Sequence, residues 1–159
     1  MGKKKRKTPN KKVYETSVFE KILKFVSIRP RSQKEILDWF KRKKVSQKDI
    51  DLVLKKLTDL GFLSDQEFAV WWVQQRSYFR PRSKNHLKFE LFGKGISREI
   101  IESVLGGESF NEEESAKNLL TKKAKRFEKF DEEERSQKIA KFLISRGYSW
   151  AVARKLSKE

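Results

Sequence analysis

The chain contains no cysteine and a single histidine, His86. That excludes a disulfide, a thiol nucleophile, a cysteine-type zinc site and a two-histidine metal site. No apolar run approaches the roughly 18–20 residues that a membrane-spanning helix needs. The opening segment MGKKKRKTPNKK has neither the apolar stretch nor the cleavage site of a secretory signal. Gly2 follows Met1, yet the lysines after it fit a myristoylation motif poorly. No Walker-type glycine loop is present to cradle a nucleotide phosphate.

What is abundant is positive charge and large rings. Lys and Arg number 39 against 22 Asp and Glu, a formal net charge of +17, and the 159 residues include twelve Phe and four Trp. Hydrophobic residues make up only 36%, which suits one domain or a row of small modules with thin cores filled by a few rings. The aromatic content is too high for a chain disordered throughout. These features together predict a cytoplasmic protein of a reducing compartment, with a polyanionic partner and no membrane association.

The charge is unevenly placed. Residues 1–12 carry six Lys, one Arg and no acid, and no apolar residue stands between Met1 and Val13. This reads as a disordered basic tail, either a solubilising arm or a polycation that contacts phosphates or an acidic protein face. Acids outnumber bases between residues 108 and 134, and bases dominate again from 135 to 159.

The chain also repeats itself. Arg29-Pro30-Arg31-Ser32 recurs as Arg80-Pro81-Arg82-Ser83. The same ungapped register pairs Ile36 with Leu87, Phe40 with Leu91, Val45 with Ile96 and Ser46 with Ser97. Lys94-Gly95-Ile96-Ser97 is echoed in turn by Arg146-Gly147-Tyr148-Ser149. Three modules follow, at 13–63, 64–107 and 108–159.

Each module reads as three short helices. Val18, Phe19, Ile22, Leu23 and Val26 form a one-sided stripe that Pro30 terminates. Ser32 with Glu35 makes a capping box for a second helix, whose core positions are Ile36 and Phe40, with Leu37 a further candidate. Ser46 caps a third, with Ile50, Val53, Leu54, Leu57 and Leu60 inward and Gly61 as its C-terminal glycine. No sustained period-two alternation argues for strands. The expected fold is all-α: three tandem three-helix modules in an elongated, curved arrangement.

Two stretches are familiar in detail. Gly61-Phe62-Leu63-Ser64-Asp65-Gln66-Glu67-Phe68-Ala69 resembles the "GYLDD-x-x-FA" segment of the RecX family, bacterial regulators of the RecA recombinase. Leu87-x-x-Glu90-Leu91-x-x-Lys94-Gly95-Ile96 is similar to that family's "I-x-x-EL-x-x-KGI" segment. The resemblance implies a non-enzymatic protein, without cofactor, that lies along the RecA–DNA filament and limits its assembly and activities. Where many relatives carry a "GYGP" stretch, this chain has the bulkier, more basic Tyr78-Phe79-Arg80-Pro81-Arg82.

The candidate contact residues follow from charge and ring content. Arg76, Arg80, Arg82, Lys84 and Lys94 surround the central module's inter-helix connection, where Arg suits bidentate phosphate or carboxylate contacts. Lys122, Lys123, Lys125 and Arg126 form a second cluster, and Arg135, Lys138, Lys141 and Arg146 a third. Trp72 falls at the edge of the inward stripe. Trp71 points roughly opposite Ala69, either against a neighbouring module or toward a partner. His86 sits in the first turn of a helix as a solvated or locally bonded imidazole. The runs Glu112-Glu113-Glu114 and Asp131-Glu132-Glu133-Glu134 stand where helices start and complement the helix dipole rather than binding a metal. Two functions remain in play. One is a monomeric regulator of the RecA filament that meets single-stranded DNA directly or through RecA. The other is a helical protein that binds nucleic acid by itself.

Overall fold

The repeat in the sequence becomes a repeat in helix starts. Ser46, Ser97 and Ser149 each hold extended backbone and accept a hydrogen bond from the N–H three residues on, at Asp49, Ile100 and Val152. The distances are 3.3, 3.4 and 3.4 Å. Ser32 and Ser83 do the same for Glu35 and His86, so one hydroxyl satisfies one orphan donor at each helix start. At Ser32 the box is complete, because the Glu35 carboxylate accepts from the Ser32 N–H in return.

The computed structural model describes residues 11–159, with side chains described from residue 17 onward. Most of the expected basic tail lies outside the described residues, and the first helix already begins at Lys11. Among the described residues all regular structure is helical. In order these are α1 (Lys11–Ser27), α2 (Gln33–Lys43), α3 (Gln47–Asp59), α4 (Asp65–Phe79) and α5 (Lys84–Gly93). There follow α6 (Arg98–Gly106), α7 (Glu112–Lys123), a 3-10 turn (Ala124–Arg126), α8 (Glu132–Ser145) and α9 (Trp150–Leu156). The chain divides into two compact units at Ser64/Asp65.

Helix ends repeat as faithfully as helix starts. After α5 the Gly95 N–H donates to the Phe92 carbonyl at 2.9 Å and the Ile96 N–H to Leu91 at 3.1 Å. After α8, Gly147 donates to Ile144 and Tyr148 to Leu143 at the same two distances. This paired 5→2 and 6→1 bonding closes a helix through a residue in the left-handed region. Gly95 and Gly147 occupy it at φ 80° and 79°. The first module makes the same turn after α2, with Val45 donating to Phe40, but its left-handed residue is Lys44 at φ 52°.

The first unit is built on Val18, Ile22, Val26, Ile36, Phe40, Ile50, Val53 and Leu57, all buried. Full burial of Phe40 alone contributes about 1.5–3 kcal/mol. Two positions depart from the expected stripe. Leu60 is exposed, because it is the cap residue where the chain leaves the path of α3, and Leu63 packs on the core beyond it. Trp39, outside the expected stripe, is buried, its ring 6.2 Å from Phe25 and edge-on to Phe40 at 5.4 Å.

The second unit carries two cores. One gathers Phe68, Ala69, Val73, Leu87, Leu91, Ile96, Ile101, Val104 and Leu105 from α4–α6. The other gathers Ala116, Phe127, Phe142, Leu143, Tyr148, Ala153 and Leu156 from α7 to α9. α7 packs on both α4 and α9, and a polar seam joins the two cores. Ser115 Oγ, buried, donates to the Arg82 carbonyl at 2.9 Å and lies 3.2 Å from the Tyr148 hydroxyl. Glu112 accepts from the Lys84 N–H at 3.0 Å, supplying from α7 an acceptor that the first turn of α5 lacks.

Candidate partner and nucleic-acid interface

The central cations are held by one carboxylate. Trp72 Nε1 donates to Glu90 Oε2 at 2.8 Å, and Arg76 Nε donates to the same oxygen at 2.7 Å. Arg82 Nε lies 3.7 Å from Glu90 Oε1, buried and without a hydrogen-bond partner. The Trp72 ring has the Arg76 guanidinium 4.5 Å from its centre and the Lys94 ammonium 4.8 Å away. Cation–π attraction and a shared carboxylate thus draw Arg76, Arg82 and Lys94 toward the protein. Trp72 is half-buried at the edge of the core, as its helical position predicts. Trp71 is half-buried too, with ring contacts to Phe68 and Trp72.

Arg80 behaves differently, and the repeat explains why. In the first module Arg29 grips Glu35 through two hydrogen bonds of 3.1 and 2.9 Å. Arg31 folds inward there, donating to the Phe25 carbonyl at 3.1 Å with its guanidinium 3.9 Å from that ring's centre. Burial first, and then the neighbouring Arg29, hold the Arg31 guanidinium below its ordinary range against the opposing pull of Glu35. Arg82 repeats the inward fold of Arg31. Arg80 cannot repeat the grip of Arg29, because His86 stands where Glu35 does. The His86 Nδ1 lies 3.0 Å from Ser83 Oγ, and Arg80 is exposed.

Beside Arg80, Tyr78 and Phe79 project from the end of α4, 73% and 62% exposed and edge-to-face at 4.8 Å. Lys122 fixes this tip: its ammonium donates to the Tyr78 carbonyl at 2.7 Å and the Phe79 carbonyl at 3.0 Å. A cation on the last carbonyls of a helix satisfies orphan acceptors and complements its dipole. Lys122 therefore has a structural task, while Lys123 beside it is exposed. Lys84 is half-buried at the start of α5.

Parts of the second and third basic clusters, separate in sequence, converge on one groove of about 630 Å³ between the 3-10 turn and α8, Lys125 and Arg126 from the one and Lys138 and Lys141 from the other. Lys125, Arg126, Lys129, Lys138 and Lys141 line it, together with Phe127, Phe130 and Phe142. None of its lining residues is acidic. Arg126 and Arg146 both lie over the buried Phe142 ring, at 5.1 and 5.3 Å from its centre. Lys129 and Lys138 approach Phe130 at 5.1 and 4.4 Å, and Lys138 also pairs with Glu134 at 3.3 Å. A larger cleft at the start of α8 and the end of α9 is of mixed charge, lined by Glu132, Glu133, Arg135 and Lys158 among others.

The acidic runs serve helix starts. Asp131 accepts from the Glu134 N–H at 2.9 Å, and Asn111 accepts from the Glu114 N–H at 3.1 Å. Hydrogen bonds from Lys155 and Lys117 hold the Glu113 carboxyl below its usual range. Among the described residues, no group of three or more His, Asp or Glu side chains is placed to hold a metal ion. The sequence places Glu90 in the family-like segment but gives it no role among the candidate contacts, although it is the one carboxylate between Glu67 and Glu99. That isolation amid arginines was the available signal. Lys129 and Phe130 were missed as well, because the convergence of the two clusters depends on the 3-10 turn.

No helix among the described residues is long and apolar enough to cross a membrane. Two solved structures share the fold. A structure described as regulatory protein RecX superposes with a TM-score of 0.71 over all of this chain and 83% of its own, at 21% identity. RecX from Lactobacillus salivarius gives 0.72 over 89% of this chain and 92% of its own, at 22% identity. In sequence, the chain is 36% identical over 143 residues to the regulatory protein RecX of Listeria welshimeri, covering 87% of this chain and 52% of that protein. It thus spans about half the length of the Listeria relatives it matches. To the regulatory protein RecX of Chlorobium phaeobacteroides it is 34% identical, over 82% of this chain and 84% of that protein. Residues 64–105 match the family model described as RecX, second three-helix domain, and residues 111–156 match RecX, third three-helix domain. With its serine-capped repeat and both helical domains matched in order, the chain belongs to the RecX family of regulatory proteins.

Proposed function

We propose that this protein is a regulator of the RecA recombinase that binds the RecA–DNA filament and restrains its assembly, ATP turnover and recombination activity. It acts in the cytoplasm, as a monomer, by binding rather than by catalysis. The observation that carries this reading is the consecutive match of two three-helix domains to the RecX family. The surface that best suits such a partner is the tip of α4. Tyr78, Phe79 and Arg80 are exposed there on a backbone pinned by Lys122, and Tyr and Arg are enriched among residues that dominate binding energy. A filament ligand of this kind needs only to favour one filament state, since differential affinity is what moves an equilibrium.

The test is RecA-dependent ATPase activity on single-stranded DNA, with this protein titrated in. Inhibition at amounts well below those that coat the DNA supports filament regulation. Inhibition that appears only once the DNA is coated would replace it with competition for the strand.

A further inference from the structure

We propose that the basic groove of the third module is a binding track for the sugar–phosphate backbone of single-stranded nucleic acid. This inference does not rest on the regulatory reading, since it concerns naked strands. Its first support is charge of one sign. The groove offers Lys125, Lys129 and Lys141, all exposed, beside Arg126, and no carboxylate lines it; only Lys138 is shared with an acid, Glu134, outside the lining. Among the described residues, Lys125, Lys129 and Lys141 form no ion pair, unlike Arg76 and Arg82 at Glu90. A groove concentrates the field of its walls, so a strand laid along it meets more potential than over a convex face.

The second support is order. Arg126 and Arg146 are stationed over the Phe142 ring, which is itself buried in the core. Lys138 is stationed over Phe130. A cation placed in advance by a ring gives up less side-chain freedom when a phosphate arrives. Cations of this kind pair with phosphates and carry no pattern that reads base edges, so the track should bind strands with little regard to sequence.

The third support separates nucleic acid from an acidic protein partner. Four of the groove's five cationic lining residues are lysines, a residue type depleted at protein–protein interfaces. Its rings Phe127 and Phe142 are buried and Phe130 is half-buried under two ammonium groups. No exposed aromatic or aliphatic anchor is left to fill a partner's pocket, as the centre of a protein interface requires. A flexible chain of evenly spaced phosphates fits what remains.

The experiment measures fluorescence anisotropy of a short labelled oligothymidylate against the full chain, with no RecA present. Its variants are the triple reversal Lys125→Glu, Lys129→Glu, Lys141→Glu and the milder triple Lys→Gln. A control carries Lys43→Glu, Lys48→Glu and Lys55→Glu, exposed positions of the first unit with the same change in net charge. The groove reversal should weaken binding more than tenfold and the control less than threefold, with unchanged helical circular dichroism in all (about tenfold per 1.4 kcal/mol). The logarithmic salt slope should fall by about 2 in the groove variants, since each single-strand phosphate contact contributes roughly 0.7. Equal losses in groove and control variants would overturn the proposal, reducing it to bulk charge. Competition by polyglutamate as effective as by oligothymidylate would overturn it in favour of an acidic protein site. Because RecA is absent, failure here leaves the filament reading untouched, and failure of the ATPase test leaves this one standing.

Discussion

Arg76 on α4 and Glu90 on α5 meet at 2.7 Å, with 24% of each side chain exposed. The same carboxylate accepts from Trp72 and faces the buried Nε of Arg82. One acid thus ties two helices and the connection between them, and the cations that sequence reasoning assigned to a partner are partly occupied within the fold. Replacing Glu90→Gln removes the charge that Trp72, Arg76 and Arg82 all face. It should cost about 1–2 kcal/mol in urea unfolding, below the value for a fully buried pair because solvent still reaches the site. The exposed Arg98–Glu102 pair is the comparison. At 2.8 Å it is just as close, but its side chains are 76% and 51% exposed, so Glu102→Gln should leave the urea midpoint at the wild-type value.

Arg80 and Arg82, two residues apart, should separate in their effects. Arg80→Glu changes an exposed side chain without a carboxylate where the first module has Glu35. Its melting temperature should stay at the wild-type value while co-sedimentation with RecA filaments falls more than tenfold at fixed salt (about tenfold per 1.4 kcal/mol). Arg82→Glu instead sets a second carboxylate against Glu90 and should lower the melting temperature before any binding is measured. Of these two candidate contact residues only Arg80 is exposed; Arg82 folds inward as Arg31 does. Equal stability of the two variants would show that the Glu90 contact contributes nothing.

The helices and most of their core were legible because both are local. Serine caps and apolar stripes are set by residues three and four apart, and the offsets that align the modules in sequence give Lys44, Gly95 and Gly147 the same left-handed backbone. What was not legible depends on contacts across long separations. Nothing in the neighbourhood of Lys122 says that its ammonium ends on carbonyls 43 and 44 residues away. The meeting of Lys125 and Arg126 with Lys138 and Lys141 in one groove likewise needs the 3-10 turn at Ala124–Arg126, which brings the first pair against α8. Charge runs can be counted in a sequence, but whether a cation is free or already engaged is a tertiary fact.

Lys44 is the repeat's exception. Its φ of 52° lies where Gly95 and Gly147 are found in the other modules, and a side chain there crowds the following carbonyl at a cost of roughly 1–2 kcal/mol. Lys44→Gly should stabilise the full chain by about 1 kcal/mol, part of the relief being offset by the greater freedom of glycine when unfolded. A rise in the thermal midpoint is the expected result. A fall would mean that the Lys44 side chain makes contacts worth more than the strain.

Tyr148 gives the seam of the second unit a dependence on alkaline pH. Burial pushes its hydroxyl above the ordinary tyrosine value; the Ser115 hydrogen bond opposes the rise, Glu112 adds to it, and Arg82 opposes it more weakly. The folded protein therefore holds the phenolic proton more tightly than the unfolded chain. Its contribution to stability is fully present below the unfolded value near 10 and is lost as pH rises through the higher folded value (approximate reference). Tyr148→Phe cannot titrate. At neutral pH it should cost about 1 kcal/mol, because the tyrosine–serine contact is lost although Ser115 keeps the Arg82 carbonyl. Lysines titrate in the same range in both proteins, so the informative quantity is the difference between their thermal midpoints. That difference should shrink as pH is raised from about 8 to about 11. A constant gap across the range would mean that the Tyr148 hydroxyl ionises as freely in the fold as in water.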